Sequence, residues 1–352
     1  MQLKTVTELS SGVDALYLSA RAALPSGLLD RLNKIRLLAD EQEDSVEFSL
    51  GSLTLQLQPR KWGLYRYCLD HPYARFGFSP RSNIPPIRVQ PRAEFLHGTG
   101  VQGTVEWVRT LLERECGAVL LEVSRIDLYA DFQGWQLEGD DRHEFLGRAN
   151  SSSLYEDTDE FNGLTFGKRG SSKIMARLYD KTIESAKKGT AYWKDQWGDR
   201  YDPTRGVLRV EFELPREVLR QFGVTTTEEV LGVTGALWHY LTHQWLSHRV
   251  RTDDEIKSRW PVSAPWRAVQ RASIGAGSLG VDRTYRAKQV GLLANVMPSL
   301  VGQLANFGAL TNSDSMVDLI PNLERHINLY SRTSGRSMSS RIAEKKQRFV
   351  LP

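Results

Sequence analysis

SSKIMARLYDKTIE, residues 171–184, decides the fold together with two charged segments around it, RIDLYADF at 125–132 and RVEFEL at 209–214. Residues two apart in a strand share a face. Read as strands, the first segment puts Arg177, Tyr179 and Lys181 on one side and Ala176, Leu178 and Asp180 on the other. The second puts Arg125, Asp127, Tyr129 and Asp131 opposite Ile126, Leu128, Ala130 and Phe132. The third puts Arg209, Glu211 and Glu213 opposite Leu208, Val210, Phe212 and Leu214. In both flanking segments the second face is wholly apolar, as expected of strands with one side on a core. If one sheet holds all three, four carboxylates converge near a phenol flanked by two cations.

Working outward, residues 1–45 predict a helix around 27–40, from the spacing of Leu28, Leu29, Leu32, Ile35 and Leu38. The pattern then switches to period two, with strands in VEFSL, SLTLQLQ and WGLYRYC between 45 and 90. Thr104–Glu115 reads as a helix that Gly117 ends. After Trp135 comes a polar connection with a helical turn or two. Residues 163–167 and 173–181 read as a hairpin closed by KRGSS, and 184–204 as a long charged and aromatic loop. Pro215 begins a short helix. Thr225-x-x-Glu228 and Thr226-x-x-Glu229 are capping-box patterns for a long helix to about Val250. Pro261, Pro265 and the glycines at 275, 277 and 280 mark a linker, and helical spacing resumes from Val290 to Leu304. Residues 331–352, basic and serine-rich, read as a mobile arm.

The fold class expected is α+β: curved antiparallel sheet with helices packed on one face, plus a mainly helical C-terminal region. Three regions are expected: 1–115 (N-terminal αβ), 116–250 (the charged sheet and long helix) and 251–352 (basic, helical).

The 352 residues suit two or three domains. Two cysteines, Cys68 and Cys116, make no disulfide framework, no apolar run approaches the roughly 18 residues of a membrane span, and the N-terminus lacks a signal-like apolar core. A cytoplasmic location without membrane contact is expected. The net charge of +4 is unevenly spread: from Arg249 onward there are 16 Lys+Arg against 8 Asp+Glu. A basic end on a mildly acidic body suits an anionic partner, though a solvated surface would look the same.

Familiar motifs are weak here. Gly275–Gly280 fits GxGxxG, but no buried strand precedes it and no acidic residue sits about 20 positions on. Gly163…Gly167-Lys168-Arg169 has the wrong spacing for a phosphate loop. His239 and His243 lie beside Trp238, Leu241 and Trp245, which favours packing over zinc. There is no His-hydrophobe-His triplet. The three charged strands are different. Alternating charge equally marks solvent-facing strands, and pattern alone does not choose between a site and a surface. Crowded acids repel unless a cation joins them, and Arg and Lys two residues either side of a tyrosine lower a phenol's pKa and position a phosphate. Such groups suit metal-assisted attack on a phosphodiester. Tyr129 is the rival nucleophile, and Tyr192 and Tyr201, beside Trp193 and Trp197, either stack on unpaired bases or pack as a loop.

IDLYADF, GKRGSSKIMARLYDKTIE and LRVEFEL, in this order and spacing, resemble the replication initiation factor (Rep_trans) family over roughly Ser124–Leu214. That family includes initiators of small rolling-circle plasmids and related conjugative-element relaxases. The resemblance implies a sequence-specific DNA nicking-joining enzyme that starts rolling-circle replication of a plasmid, phage or integrative element. Tyr179 would be the nucleophile, forming a 5′-phosphotyrosyl link. Asp127 and Glu211, with Asp131 and Glu213, would hold Mg²⁺ or Mn²⁺. Arg177 and Lys181 would neutralise the phosphate, and Lys168, Arg169 and Lys173 would contact the DNA backbone. The partners implied are origin DNA and its nicked single strand, with a host helicase and a second copy of the chain as further ones. A relaxase, a DNA-binding regulator without catalysis and a nuclease using water are the alternatives. No helix-turn-helix of the kind some relaxases carry is visible at the N-terminus.

Overall fold

Most strands between residues 7 and 215 gather into one large sheet. The computed structural model describes residues 6–157, 160–170, 172–190, 192–275, 289–290, 293–346 and 349–350. The chain forms two compact units, Met1–Arg283 and Thr284–Pro352. The strands of the first unit are β1 (Thr7–Arg21), β2 (Val46–Leu50), β3 (Leu53–Gln58), β4 (Tyr67–Asp70), β5 (Ala74–Phe78), β6 (Ile87–Pro91) and β7 (Leu120–Gln133). They continue as β8 (Phe145–Gly147), β9 (Ser152–Asp157), β10 (Glu160–Phe166), β11 (Met175–Asp180), β12 (Leu208–Pro215) and β13 (Leu246–His248). Eleven of them form an antiparallel sheet in the order β2-β3-β4-β5-β6-β1-β7-β12-β11-β10-β9, and β8 pairs with β13 beside it.

The helices of this unit are α1 (Ser26–Gln42), α2 (Ala93–Thr99), α3 (Val101–Cys116), α4 (Lys181–Lys188), α5 (Trp193–Trp197), α6 (Arg216–Gln221), α7 (Thr227–Leu231), α8 (Thr234–Tyr240) and α9 (Ala264–Gln270). The apolar face of β7 and β12 is sealed: Ile126, Leu128, Ala130, Phe132, Val210, Phe212 and Leu214 are fully buried. Val218 and Leu219 of α6, Trp238 of α8 and Trp266 of α9 join the same core. Phe212 meets Trp238 edge-on at 5.3 Å between ring centroids. Each large side chain so buried contributes about 1.5–3 kcal/mol. This is the expected α+β architecture. On the other face, α2 and α5 bring His97 and Trp193 over Tyr129.

Several local expectations are corrected. β1, the longest strand, joins the two halves of the sheet between β6 and β7, in a region read only for its helix. The sheet therefore runs through both regions expected at 1–115 and 116–250. The long helix to Val250 is broken: α7 ends at Gly232, α8 follows, a π-helical turn spans Leu241–Trp245, and the chain then becomes β13. The capping box that forms is Thr226 with Glu229. The loop expected at 184–204 contains α4 and α5, with Trp193 and Trp197 buried. In the second unit α10 (Leu293–Thr311), α11 (Met316–Thr333) and α12 (Met338–Lys346) run in sequence, so much of the segment expected as a mobile arm is helical. Of the expected glycine linker, 276–288 lies outside the described residues. Among the described residues no helix is long and apolar enough to cross a membrane.

Candidate active site

The three charged segments do become neighbouring strands, β7, β12 and β11, and their register builds a grid. Asp131 lies opposite Arg209, which lies opposite Tyr179. One step along, Tyr129 faces Glu211 and Glu211 faces Arg177; two steps along, Asp127 faces Glu213. Side chains directly across a ladder stand about 4.5–5.5 Å apart at Cβ, so this polar face concentrates acids, guanidiniums and two phenols.

Tyr179 is half-buried and its Oη donates to Glu211 Oε2 at 3.0 Å. Arg177 donates to the other oxygen of Glu211, and its Cζ lies 5.9 Å from the Tyr179 ring centroid. Across the hairpin, a Cβ at Gly163 would sit 2.3 Å from Leu178 O and 2.8 Å from Tyr179 Cβ. Glycine there lets β10 approach β11 at the phenol. A cleft of about 360 Å³ opens beside the ring, lined by Asn162, Arg169, Arg177, Lys187 and Lys188 among others. A second, of about 270 Å³, is walled by Trp135–Glu138 and also reaches Tyr179.

The expectation that flanking cations lower the phenol's pKa is corrected. Burial first, and the Glu211 carboxylate second, hold Tyr179 well above its ordinary value despite Arg209 and Arg177. Lys181 is also not where strand alternation puts it. Asp180 caps α4 by accepting from Thr182 N at 2.8 Å and Ile183 N at 3.0 Å, so the strand stops before Lys181. That lysine is buried, donates to Glu184 at 2.6 Å and lies 4.6 Å from the Trp193 ring centroid. Burial and Arg209 lower its pKa.

The four acids divide into two sets. Asp131 is fully buried and bonded at both oxygens: Arg209 Nε and Nη2 reach them at 2.7 and 2.8 Å, and Trp197 Nε1 and Ser10 Oγ add bonds at 2.8 and 3.1 Å. Arg209 also pairs with Asp14 and lies between two rings, 4.0 Å from the Tyr129 centroid and 3.9 Å from that of Trp193. Burial raises the Asp14 carboxyl, but Arg209 and His97 outweigh it and hold it below the usual range. This set is a structural network, with Arg209 as its cation. Tyr129, the rival nucleophile, is buried beneath it, with burial raising its pKa.

Asp127, Glu211 and Glu213 form the second set. Arg125 Nε donates to Asp127 at 2.7 Å, and Arg125 NH2 lies 2.7 Å from Glu213 Oε2. Glu213 Oε2 is buried and makes no hydrogen bond of good geometry. Burial, with repulsion from Glu211 and Glu213 added, pushes Asp127 up to about 7 despite Arg125. Three carboxylates thus face two closely paired guanidiniums, Arg125 and Arg177, with mostly exposed Arg169 3.8 Å from Glu213. The charges are matched, and the buried Glu213 oxygen without a hydrogen bond is the donor open to a divalent cation. Among the described residues, the group whose ligand atoms all lie within 4.8 Å of one another is a different one, Asp141, Glu144 and His248. Burial holds His248 down at about 4, hence neutral at physiological pH.

Lys168, Arg169 and Lys173 are exposed around the β10–β11 turn, where Arg169 also lines the larger cleft. Tyr192 and Tyr201 pack against Trp193 and Trp197 at 5.1 and 4.8 Å between centroids, the packed-loop alternative. Sequence reading missed Asp14. It sits where the β1–β7 register shifts between Val13 and Ala15, and such a bulge re-aims a side chain; an acid within VDALYL was the visible signal.

No known family's sequence profile matches this chain, and no curated protein matches it. Among solved structures it is similar to the rolling circle replication initiator protein from Geobacillus stearothermophilus, at 16% identity and a TM-score of 0.42. The match covers 76% of this chain and 97% of that one.

Proposed function

We propose that this chain is a metal-assisted DNA nicking-joining enzyme with Tyr179 as nucleophile, starting rolling-circle replication of a plasmid, phage or integrative element. The observation that carries the reading is the Tyr179–Glu211 hydrogen bond at the edge of a cleft lined by arginine and lysine. A phenol held on a carboxylate is a nucleophile with its proton acceptor in place. The resemblance of the three strands to replication initiators points the same way.

Tyr179 Oη attacks the phosphorus of a phosphodiester lying in the cleft. Its proton passes to Glu211 Oε2. The P–Oη bond forms as the P–O3′ bond breaks, and the leaving 3′-oxygen takes up a proton. The 5′-phosphotyrosyl linkage keeps the energy of the broken bond, so a 3′-hydroxyl can reverse the step without nucleotide hydrolysis. Arg177 and Arg169 neutralise the non-bridging oxygens as charge builds on them. Asp127, Glu211 and Glu213 would hold a Mg²⁺ or Mn²⁺ ion, which when bound polarises the phosphate. Lys168, Arg169 and Lys173 track the strand by phosphate contacts, which position DNA without reading its sequence.

The test is a labelled single-stranded oligonucleotide incubated with the protein and Mg²⁺ or Mn²⁺. A covalent adduct that disappears in Tyr179→Phe, with the label mapped to the peptide containing residue 179, is the expected result. Cleavage without adduct would mean that water attacks, and binding without cleavage would mean a DNA-binding regulator; either outcome rejects the proposal.

A further inference from the structure

Asp141 and Glu144 lie three apart on a 3-10 turn, Gly139–Glu144, where residues i and i+3 are eclipsed. They therefore stand side by side. The next residue, Phe145, pairs with His248 across the β8–β13 ladder, and Arg249 N donates to Glu144 O at 2.9 Å. The ladder thus delivers an imidazole to the two carboxylates. One ligand atom from each of the three lies within 4.8 Å of the other two.

The histidine provides a second, independent observation. It is only 6% exposed, enclosed by Trp135, Phe145 and the Ser263 hydroxyl. Ser263 Oγ engages Nδ1 at 2.9 Å. Nε2 points at Glu144 Oε2, 3.5 Å away, and is a buried nitrogen without a hydrogen-bond partner. A ring fixed through one nitrogen, with the other aimed bare at carboxylates, is how metal-binding histidines are oriented. An imidazole with two carboxylates suits a borderline divalent transition ion, which accepts three protein ligands and completes its shell with water.

We propose that Asp141, Glu144 and His248 form a binding site for a divalent transition metal, Zn²⁺ foremost, separate from the acidic patch beside Tyr179. The ion would tie the 3-10 turn to β13 and, through Ser263, to the start of α9. Asp141 also accepts from Glu138 N at 2.8 Å, and Trp135–Glu138 wall the second cleft at Tyr179. The metal would therefore brace one wall of the reaction cleft, a positioning role.

The experiment uses the full chain, stripped by chelator and titrated with Co²⁺, followed by visible d–d absorption and then by Zn²⁺ competition. One tight Co²⁺ site displaced by Zn²⁺ is expected, apart from any ion taken up by the acidic patch. Glu144→Gln and Asp141→Asn, both on a surface turn, should each weaken binding at least tenfold. Ser263→Ala should weaken it about 10- to 100-fold by freeing the ring. Glu47→Gln, an exposed acid on the edge strand β2, should bind as the parent does, whether or not the parent nicks DNA. No saturable site, equal affinity in Glu144→Gln, or loss of binding in Glu47→Gln would each overturn the assignment.

Discussion

Replacing Arg209 by methionine tests what holds the cover over the polar face. The Arg209 and Asp131 side chains have no exposure, and the guanidinium serves Asp131 through two bonds and Asp14 through a third. It is also the filling between the Tyr129 and Trp193 rings. Methionine keeps the stem and some ring contact but leaves two carboxylates without their cation. Removing one partner of a buried pair costs about 3–5 kcal/mol, and losing a desolvated cation–π contact adds up to about 2. Methionine's own ring contacts recover part of that, so the net expected loss is about 3–5 kcal/mol. Against a stability of about 5–15 kcal/mol this is large. Urea unfolding at pH 7, followed by the fluorescence of Trp193 and Trp197, reads it directly. Arg209→Lys should recover less than half, because an ammonium cannot span Asp131 bidentately or stack between rings. In Arg209→Met/Asp131→Asn the losses should fall short of additive by at least about 1 kcal/mol. A loss below about 1 kcal/mol in Arg209→Met, with tryptophan emission unchanged, would refute the network's role.

Three further outcomes follow from the same geometry. Gly163→Ala places a methyl where Leu178 O and Tyr179 Cβ already stand, so adduct formation should fall at least tenfold while the far-UV circular dichroism persists; unchanged nicking would show that the strands relax freely. Asp14 is depressed in the folded protein, so its stabilisation is complete above the unfolded carboxylate value of about 4 and is lost as pH falls below it. Asp14→Asn should accordingly flatten the acid limb of a stability–pH curve, and parallel curves for the two proteins would contradict this. Chelation should abolish adduct formation, and added Mg²⁺ or Mn²⁺ should restore it in the parent but not in Asp127→Asn; full activity in chelator would remove the cation from the chemistry.

Much of this protein is legible residue by residue. Alternation along 125–132 and 209–214 assigned each side chain to its face correctly, because a strand's period of two is a local property and both apolar faces were unbroken. The hairpin before Tyr179 and the helix at 101–116 were readable for the same reason. β1 was not: its run, TELSSGVDALYLSAR, mixes serines and a glycine with three shifts of register against β7, so no single period describes it. Nor does sequence show that Asp180 would cap a helix and withdraw Lys181 from the strand.

The fate of the acids lay further still from the sequence. Asp127 and Asp131 sit four apart on the same strand and look interchangeable. The sheet register sets Asp131 opposite Arg209 and Asp127 opposite Glu213, so one meets a guanidinium across the ladder and the other, though held by Arg125 on its own strand, is crowded by a like charge. The same holds for His248, whose neighbours Asp141 and Glu144 arrive from a hundred residues away. Local pattern fixed which side chains face which way; only long-range pairing, through the Coulomb energy of the partner each one meets, decided what chemistry they were left free to do.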